Sequence, residues 1–397
     1  MRVVFFSYFF PPDLSAGSFR AESISKSLAK KLDNKDELHV ITTHPHRYSS
    51  HQVEARDFEE FENIVIHRIR LPSHKNNILM QVFSYLIYVY SASMLIKTLK
   101  PNFYIVTTGR LMSGIYTYFL SLVTKKRYFV DMRDIFSEAM TDLIAKKSHI
   151  LGKSFHYIIS FLEKKVLMQA SGVNVVSEGF IEYFDKEGLN TSSWTVYTNG
   201  IDDEFIGIPR KKKNNPKKII LYAGNIGAGQ GLQKIIPNIA KNLDDNYLFR
   251  VVGDGNTKHL LEKQMLSKKC NNVELLPPVA REKLISLYQD ADILFLHLNN
   301  IPAFGRFLPS KIFEYAAMRK PIVAGLLGYS KEFVENNVPN SFTFESEDYH
   351  QALLCIKKAD GSEIENYAYD KFIQKYSRLE IMSQMSDHLA KIIYKKI

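Results

Sequence analysis

The sequence predicts an α/β protein made of two doubly wound domains. Three observations carry this expectation. Short β-branched or aromatic runs alternate with longer amphipathic ones along the chain. The alternation restarts after a polar, basic stretch at residues 201–218, which holds two prolines and reads as a linker. Each half also opens on a strand followed by a glycine-bearing loop, and open α/β sheets bind ligands beyond the carboxyl ends of their strands.

In the first half the runs predict strands at residues 3–7, 38–42, 65–68, 103–107, 128–131 and 172–176. In the second half they predict strands at 219–223, 249–252, 273–275, 293–297 and 321–324. The resulting division is a first domain at 1–200, the linker at 201–218 and a second domain at 219–366. A helical run at 367–397 is expected to pack back on the first domain.

A length of 397 residues suits two domains. Hydrophobic residues at 45% and charged residues at 24% exclude a disordered composition. Only Cys270 and Cys355 are present, without short spacing, which argues against a disulfide framework or a cysteine metal cluster and fits a reducing compartment. The opening Met1-Arg2-Val3-Val4-Phe5-Phe6 enters a strand at once, so a secretory leader is not expected and a cytoplasmic location is.

Residues 78–96 run for 19 positions without a charge. Gln81 and three tyrosines within the run favour a mostly buried helix, with a membrane-surface helix as the alternative. The formal charge is +10, with basic clusters at Lys125-Lys126-Arg127, Lys146-Lys147, Lys164-Lys165 and Arg210-Lys211-Lys212-Lys213. Such clusters are either solvated faces or attractors for anionic lipid and phosphorylated substrates. No recognised nucleic-acid motif accompanies them, so nucleic acid is not an expected partner.

Three loops have the composition to approach phosphate. The first, Phe9-Phe10-Pro11-Pro12-Asp13-Leu14-Ser15-Ala16-Gly17-Ser18, precedes a helix expected at 19–32 with Ser18 as its N-cap. Gly17 there permits close backbone approach, and a helix start suits an anion or sugar hydroxyls; a plain structural turn fits equally. The second, Gly224-Asn225-Ile226-Gly227-Ala228-Gly229-Gln230-Gly231, is dense in glycine but lacks the GxGxxG spacing and an acid closing the next strand. This disfavours a nicotinamide enzyme. Pro237 is expected to kink or shorten the following helix. The third is Gly253-Asp254-Gly255.

The segment Arg306-Phe307-Leu308-Pro309-Ser310-Lys311-Ile312-Phe313-Glu314 decides more. Ser310 can cap a helix on which Lys311 and Glu314, three apart, share a face. By chemistry alone this is either a surface salt bridge or a phosphate-and-ribose grip. With Tyr315-Ala316-Ala317 and Lys320-Pro321-Ile322-Val323, the segment resembles the PSKxFEYxAxGKPV signature of the GT-B retaining glycosyltransferases of family four. Within that family it is most similar to the bacterial O-antigen and capsule N-acetylfucosamine transferases. The resemblance runs over almost the whole chain. It includes Ser7 through Gly17 and Arg20, Asp131-Met132-Arg133-Asp134, Asn199-Gly200-Ile201-Asp202, and Tyr222-Ala223-Gly224-Asn225-Ile226-Gly227 with Gln230-Gly231-Leu232. Several positions depart from it. Arg306 stands where a first glutamate is usual, Asn225 and Gln230 where other members carry Arg and Lys, and Phe136-Ser137 where Trp-Pro is usual.

The resemblance implies two Rossmann-like domains facing a central cleft, with the C-terminal helix returning to the first. It also implies transfer of a sugar, with retention, from a UDP-linked donor to a saccharide or polyprenyl-diphosphate-linked acceptor in surface polysaccharide synthesis. Gly17, Gly224, Asn225, Gly227, Gln230, Gly253, Asp254, Arg306, Ser310, Lys311 and Glu314 would surround the donor. Ser18, Arg20 and Arg133 would face the acceptor, and Asp131, Asp134 and Lys311 are the catalytic candidates. For the two aspartates, a structural Arg133–Asp134 pair is an equal reading. No metal or cofactor is expected; the basic charge and the 78–96 run, apart from the resemblance, make an anionic membrane surface a candidate partner. A nucleotide-sugar 2-epimerase of the same fold and a non-catalytic sugar-nucleotide-binding partner are the rival readings.

Overall fold

The structure, a computed structural model, describes residues 1–13, 15–45, 53–72, 78–108, 111–135, 137, 149–209, 216–363 and 365–395. Phe136 and the basic clusters at 146–147 and 210–213 lie outside them. The chain divides into two compact units, Met1–Thr198 with Leu379–Ile397, and Asn199–Arg378.

In the first unit the described strands are β1 (Arg2–Phe6), β2 (Glu37–Thr43), β3 (Phe58–Phe61), β4 (Ile64–Ile69), β5 (Phe103–Thr107), β6 (Arg127–Met132), β7 (Gly172–Val175) and β8 (Thr195–Val196). They form one sheet in the order β3-β4-β2-β1-β5-β6-β7-β8. Every pairing is parallel except β3 with β4. Val3 to Phe6 and Phe103 to Val106 are almost completely buried, as strands covered on both faces require. The sheet order reverses beside β1, which pairs β2 on one side and β5 on the other. Loops leaving β1 and β5 therefore open the crevice where doubly wound sheets bind ligands.

The last helix, Arg378–Tyr394, buries Ile381, Met385, Leu389 and Ile393 at successive turns. Its end is held where Arg127 Nη2 donates to the Ile393 and Lys395 carbonyls and the Tyr394 hydroxyl donates to Asp36. The return to the first unit begins at Leu379 instead of residue 367. Helix Asn366–Lys375 stays with the second unit because Phe372 stacks on Phe313 at 6.2 Å.

The second unit holds β9 (Lys218–Ala223), β10 (Tyr247–Val252), β11 (Val273–Leu276), β12 (Ile293–His297), β13 (Ile322–Leu326) and β14 (Ser341–Glu345), in the order β11-β10-β9-β12-β13-β14. All these pairings are parallel. Its reversal falls at β9 and β12, so the glycine loop after β9 and the segment after β12 share the crevice. Ile220, Phe249, Phe295 and Phe344 form the core with Ile235, Ile236 and Ile239 of helix Leu232–Asn242. That helix, 11 residues long, holds Pro237 in its interior.

Two further expectations change. Much of the polar stretch 201–218 is part of the second unit: Ile201 and Phe205 are buried, and Ile201 exchanges backbone hydrogen bonds with Tyr376 and Arg378. Helix Ile78–Leu99 is not mostly buried either. Only 28% of its apolar window lies inside the fold, because the neighbouring elements cover one of its faces.

Candidate functional site

In the second unit, β9 ends at Ala223 and the chain turns through Gly224 with φ 156°. The loop continues the ladder of the two strands: Gly224 N donates to the Val252 carbonyl and Ile226 N to the Asp254 carbonyl. Gly253, at φ 144°, meets this loop so closely that a Cβ there would stand 1.9 Å from the Gly224 carbonyl oxygen. Tyr222 donates its hydroxyl to the Asn225 carbonyl at 2.6 Å, and Thr257 donates to the Ile226 carbonyl at 2.9 Å. The backbone of this loop is thus held from beneath.

Its far side is held from β12. His297 Nε2 accepts from the Glu347 amide at 3.0 Å, so its Nδ1 carries the proton donated to the Gln230 carbonyl at 2.6 Å. Burial pushes the His297 pKa down to about 4, which keeps the ring neutral in this tautomer near pH 7. Asn299 adds a bond from its amide side chain to the Ala228 carbonyl at 2.9 Å. The ring of Phe304 lies over Gly229.

Lys311 reaches across this loop. A Cβ on Gly224 would stand 2.5 Å from Lys311 Cε. The ammonium lies 3.5 Å from both Glu314 Oε2 and the Tyr288 hydroxyl, and Tyr288 donates to the same Glu314 oxygen at 3.0 Å. Lys311 and Glu314 are partly exposed, whereas Tyr288 is fully buried. Burial, reinforced by the Glu314 charge, raises the Tyr288 pKa well above its usual value, so it stays a donor. Beneath it Tyr315 packs edge-on at 5.4 Å, accepting from the Ala223 amide and donating to the Phe295 carbonyl.

Gly224, Asn225, Gly227, Gln230, Gly253, Lys311 and Glu314 therefore belong to one neighbourhood. Asn225 and Gln230 are bonded to each other, Nδ2 to Oε1, at 2.9 Å. The Asp254 carboxylate accepts from the Gly255 amide of its own turn. Ser310 has helical backbone angles and makes no side-chain cap, contrary to its expected capping role. Arg306 is half-buried at the close of the 3-10 turn Pro302–Gly305.

Tyr288, His297, Asn299 and Arg281 were not selected by sequence pattern. Arg281 pairs with Asp202 and Glu204 and lies 5.0 Å over the Phe205 ring. Its pKa rises because those carboxylates, with a contribution from Glu314, outweigh its burial. Only the aromatic and polar positions at the strand and helix ends hinted at these four, since their partners lie far away in sequence.

In the first unit the helix after β1 is Ala16–Ala29, capped by Ser15, whose Oγ accepts from the Ser18 amide at 3.1 Å. Ser18 is thus a buried first-turn residue and not the cap. Gly17 sits beneath Arg133, and a Cβ there would stand 2.1 Å from Arg133 Nη1. Asp134 is exposed.

Arg20 and Asp131 form a buried pair within the first unit. Arg20 donates from Nε and Nη2 to the two Asp131 oxygens at 2.9 and 2.8 Å, with both side chains 0% exposed. Arg20 also holds the Tyr197 and Thr198 carbonyls, and Asn174 donates to Asp131 at 2.7 Å. Burial pushes the Asp131 pKa up, but the Arg20 charge and these hydrogen bonds hold it below the usual value. Neither group reaches solvent, and each is committed to the other.

Two doubly wound units with crevices at their switch points define the class: the fold is the GT-B fold of glycosyltransferases. Residues 206–369 match the family described as glycosyl transferases group 1. The chain is 25% identical over 210 residues to the putative colanic acid biosynthesis glycosyl transferase WcaI of Escherichia coli K12. That match spans 50% of this chain and 51% of the relative, so the chain covers about half the length of this curated relative. Sucrose-phosphate synthase from Thermosynechococcus elongatus superposes with TM-score 0.75 at 12% identity over 99% of both chains. Anabaena HepE, solved in complex with UDP, superposes with TM-score 0.68 at 14% identity, over 98% of this chain and 100% of that one.

Proposed function

We propose that this chain is a group 1 glycosyltransferase of bacterial surface polysaccharide synthesis. It moves a sugar from a UDP-linked donor, with retention, to a saccharide or polyprenyl-diphosphate-linked acceptor, working in the cytoplasm without a metal. The observation that carries this reading is Lys311 lying over Gly224 with its ammonium 3.5 Å from Glu314 and Tyr288. The family match over residues 206–369, the UDP bound by HepE and the colanic acid pathway of the curated relative support it.

In this mechanism the Gly224–Gly227 backbone, Asn225, Ser310 and Lys311 surround the pyrophosphate, and Glu314 accepts from the ribose hydroxyls. Tyr288 holds Glu314 in place for that task. Departure of the diphosphate is the demanding step, and Lys311 stabilises the charge that develops on it. The leaving phosphate helps to deprotonate the acceptor, which suits a chain whose buried Asp131 is committed to Arg20. Of the first unit's residues, Arg133 is assigned to the acceptor, Gly17 to the donor, and Asp134 is kept as the catalytic candidate.

The test is a thermal-shift screen over UDP-, GDP- and dTDP-sugars, repeated with Lys311→Ala and Glu314→Ala. A stabilising UDP-sugar whose effect both changes weaken supports the site; an undiminished shift in both variants removes it. Transfer that survives EDTA supports metal independence. The Asn225–Gln230 bond favours one second reading, a sugar-nucleotide-binding partner without turnover, because two neutral amides here satisfy each other. Donor binding with no transfer to any acceptor and no acceptor-free epimerisation would select it.

A further inference from the structure

Helices Ile78–Leu99, Leu111–Thr124 and His149–Met168 lie side by side on the first unit. Ser93 and Tyr116 hydroxyls join the first two at 3.0 Å, and Gly114 abuts Val166 between the second and third. Their inner faces are ordinary core, but their outer faces are apolar as well. On the first helix Leu86, Tyr90 and Met94 stand at successive turns, 59%, 69% and 48% exposed. Phe119 and Val123 continue the surface on the second helix, Val123 at 82% exposure. Monomeric soluble proteins rarely leave such a patch uncovered.

The charges around it share one sign. Across the three helices the sole acid is Glu163, which is buried and accepts from Ser137 at 2.6 Å. Exposed Lys97, Lys100, Lys125 and Lys126 gather where the first two helices end, and none has an acidic partner among the described residues. An apolar groove of about 590 Å³ opens between those helices, with Ile96 and Tyr104 in its lining and Lys97, Lys100 and Lys126 at its rim.

We infer that this face docks on an anionic phospholipid bilayer, with an acyl chain in the groove and lipid phosphates on the rim lysines. Apolar surface joined to cations without intervening acids is the composition that binds the headgroup–acyl boundary. A transmembrane role for Ile78–Leu99 conflicts with its inner face. Tyr88 and Ala92 are fully buried, and the Tyr88 hydroxyl donates to the Ile41 carbonyl. The helix is therefore committed to the core and lies on the bilayer instead of crossing it. This inference stands whether or not the chain transfers a sugar.

Flotation of the full chain with phosphatidylcholine vesicles, with and without phosphatidylglycerol, tests it. The chain is expected to float with the anionic vesicles and to release as salt rises. Lys97→Gln/Lys100→Gln/Lys126→Gln should weaken partitioning about fivefold per lysine, about a hundredfold together. Leu86→Ser/Tyr90→Ser/Val123→Ser should abolish flotation while keeping the wild-type melting temperature, since all three positions are exposed. No flotation with anionic vesicles at low salt overturns the inference. So does flotation unchanged in both variants, or a dimer that the serine variant dissociates without altering flotation, which would assign the face to a second copy.

Discussion

Lys311 Cε occupies the space that a side chain on Gly224 would need, 2.5 Å from the position of its Cβ. The two residues are far apart in sequence, yet each defines what the other can do. Gly224→Ala should push the lysine off the loop while leaving the β9 core intact. Donor affinity, read by calorimetry with UDP, is expected to fall about 10- to 100-fold, the range for losing one charge-assisted hydrogen bond.

Tyr288→Phe removes the only hydroxyl that donates to Glu314 among the described residues, but keeps the ring against Tyr315 and Phe205. The loss should be about 1 kcal/mol in donor binding, roughly a fivefold rise in Kd, with little change in the melting temperature. A larger drop in stability than in affinity would make Tyr288 a core residue only.

Arg20 and Asp131 form a pair with no exposure on either side. Removing one partner leaves a buried charge, so Arg20→Met or Asp131→Leu alone should cost about 3–5 kcal/mol in urea denaturation. The double variant should recover part of that loss. If Asp131→Asn instead abolished turnover at full stability, the structural assignment would fail.

Gly17 stands in a helical first turn, where alanine is intrinsically better by about 1 kcal/mol. Its Cβ would nevertheless collide with Arg133 Nη1. Gly17→Ala is therefore expected to hold or raise the melting temperature while lowering the transfer rate, a split that a purely structural glycine would not produce.

The His297 pKa falls from 6.5 to about 4 on folding. Because the folded value is the lower one, the neutral ring's contribution is complete above about pH 6.5 and is lost as pH drops toward 4. The slope should remove about 3 kcal/mol across that window. His297→Gln should flatten the lower part of a stability-against-pH curve measured by denaturant titration.

Much of the fold was legible in the sequence. Runs such as Val3 to Phe6 and Ile293 to Leu296 are continuous and apolar, which only strands covered on both faces require. β14, Ser341–Glu345, escaped because its alternating Phe342 and Phe344 sit at a sheet edge among polar residues. The donor neighbourhood was legible as glycines and a Lys–Glu pair on one face. Tyr288, His297 and Asn299 were not, because a side chain that supports a loop from another strand leaves no local spacing.

By itself the sequence determined two parallel sheets, the glycine loop and the Lys311–Glu314 pair, since periodicity and turn chemistry act over a few residues. The tertiary structure alone decided that Lys311 crosses Gly224 and that Asp131 pairs with Arg20 in the interior. It also decided that helix Ile78–Leu99 carries apolar surface on both faces. These outcomes depend on which distant groups arrive within 3 to 4 Å and which face is left uncovered, and both are set by sheet order.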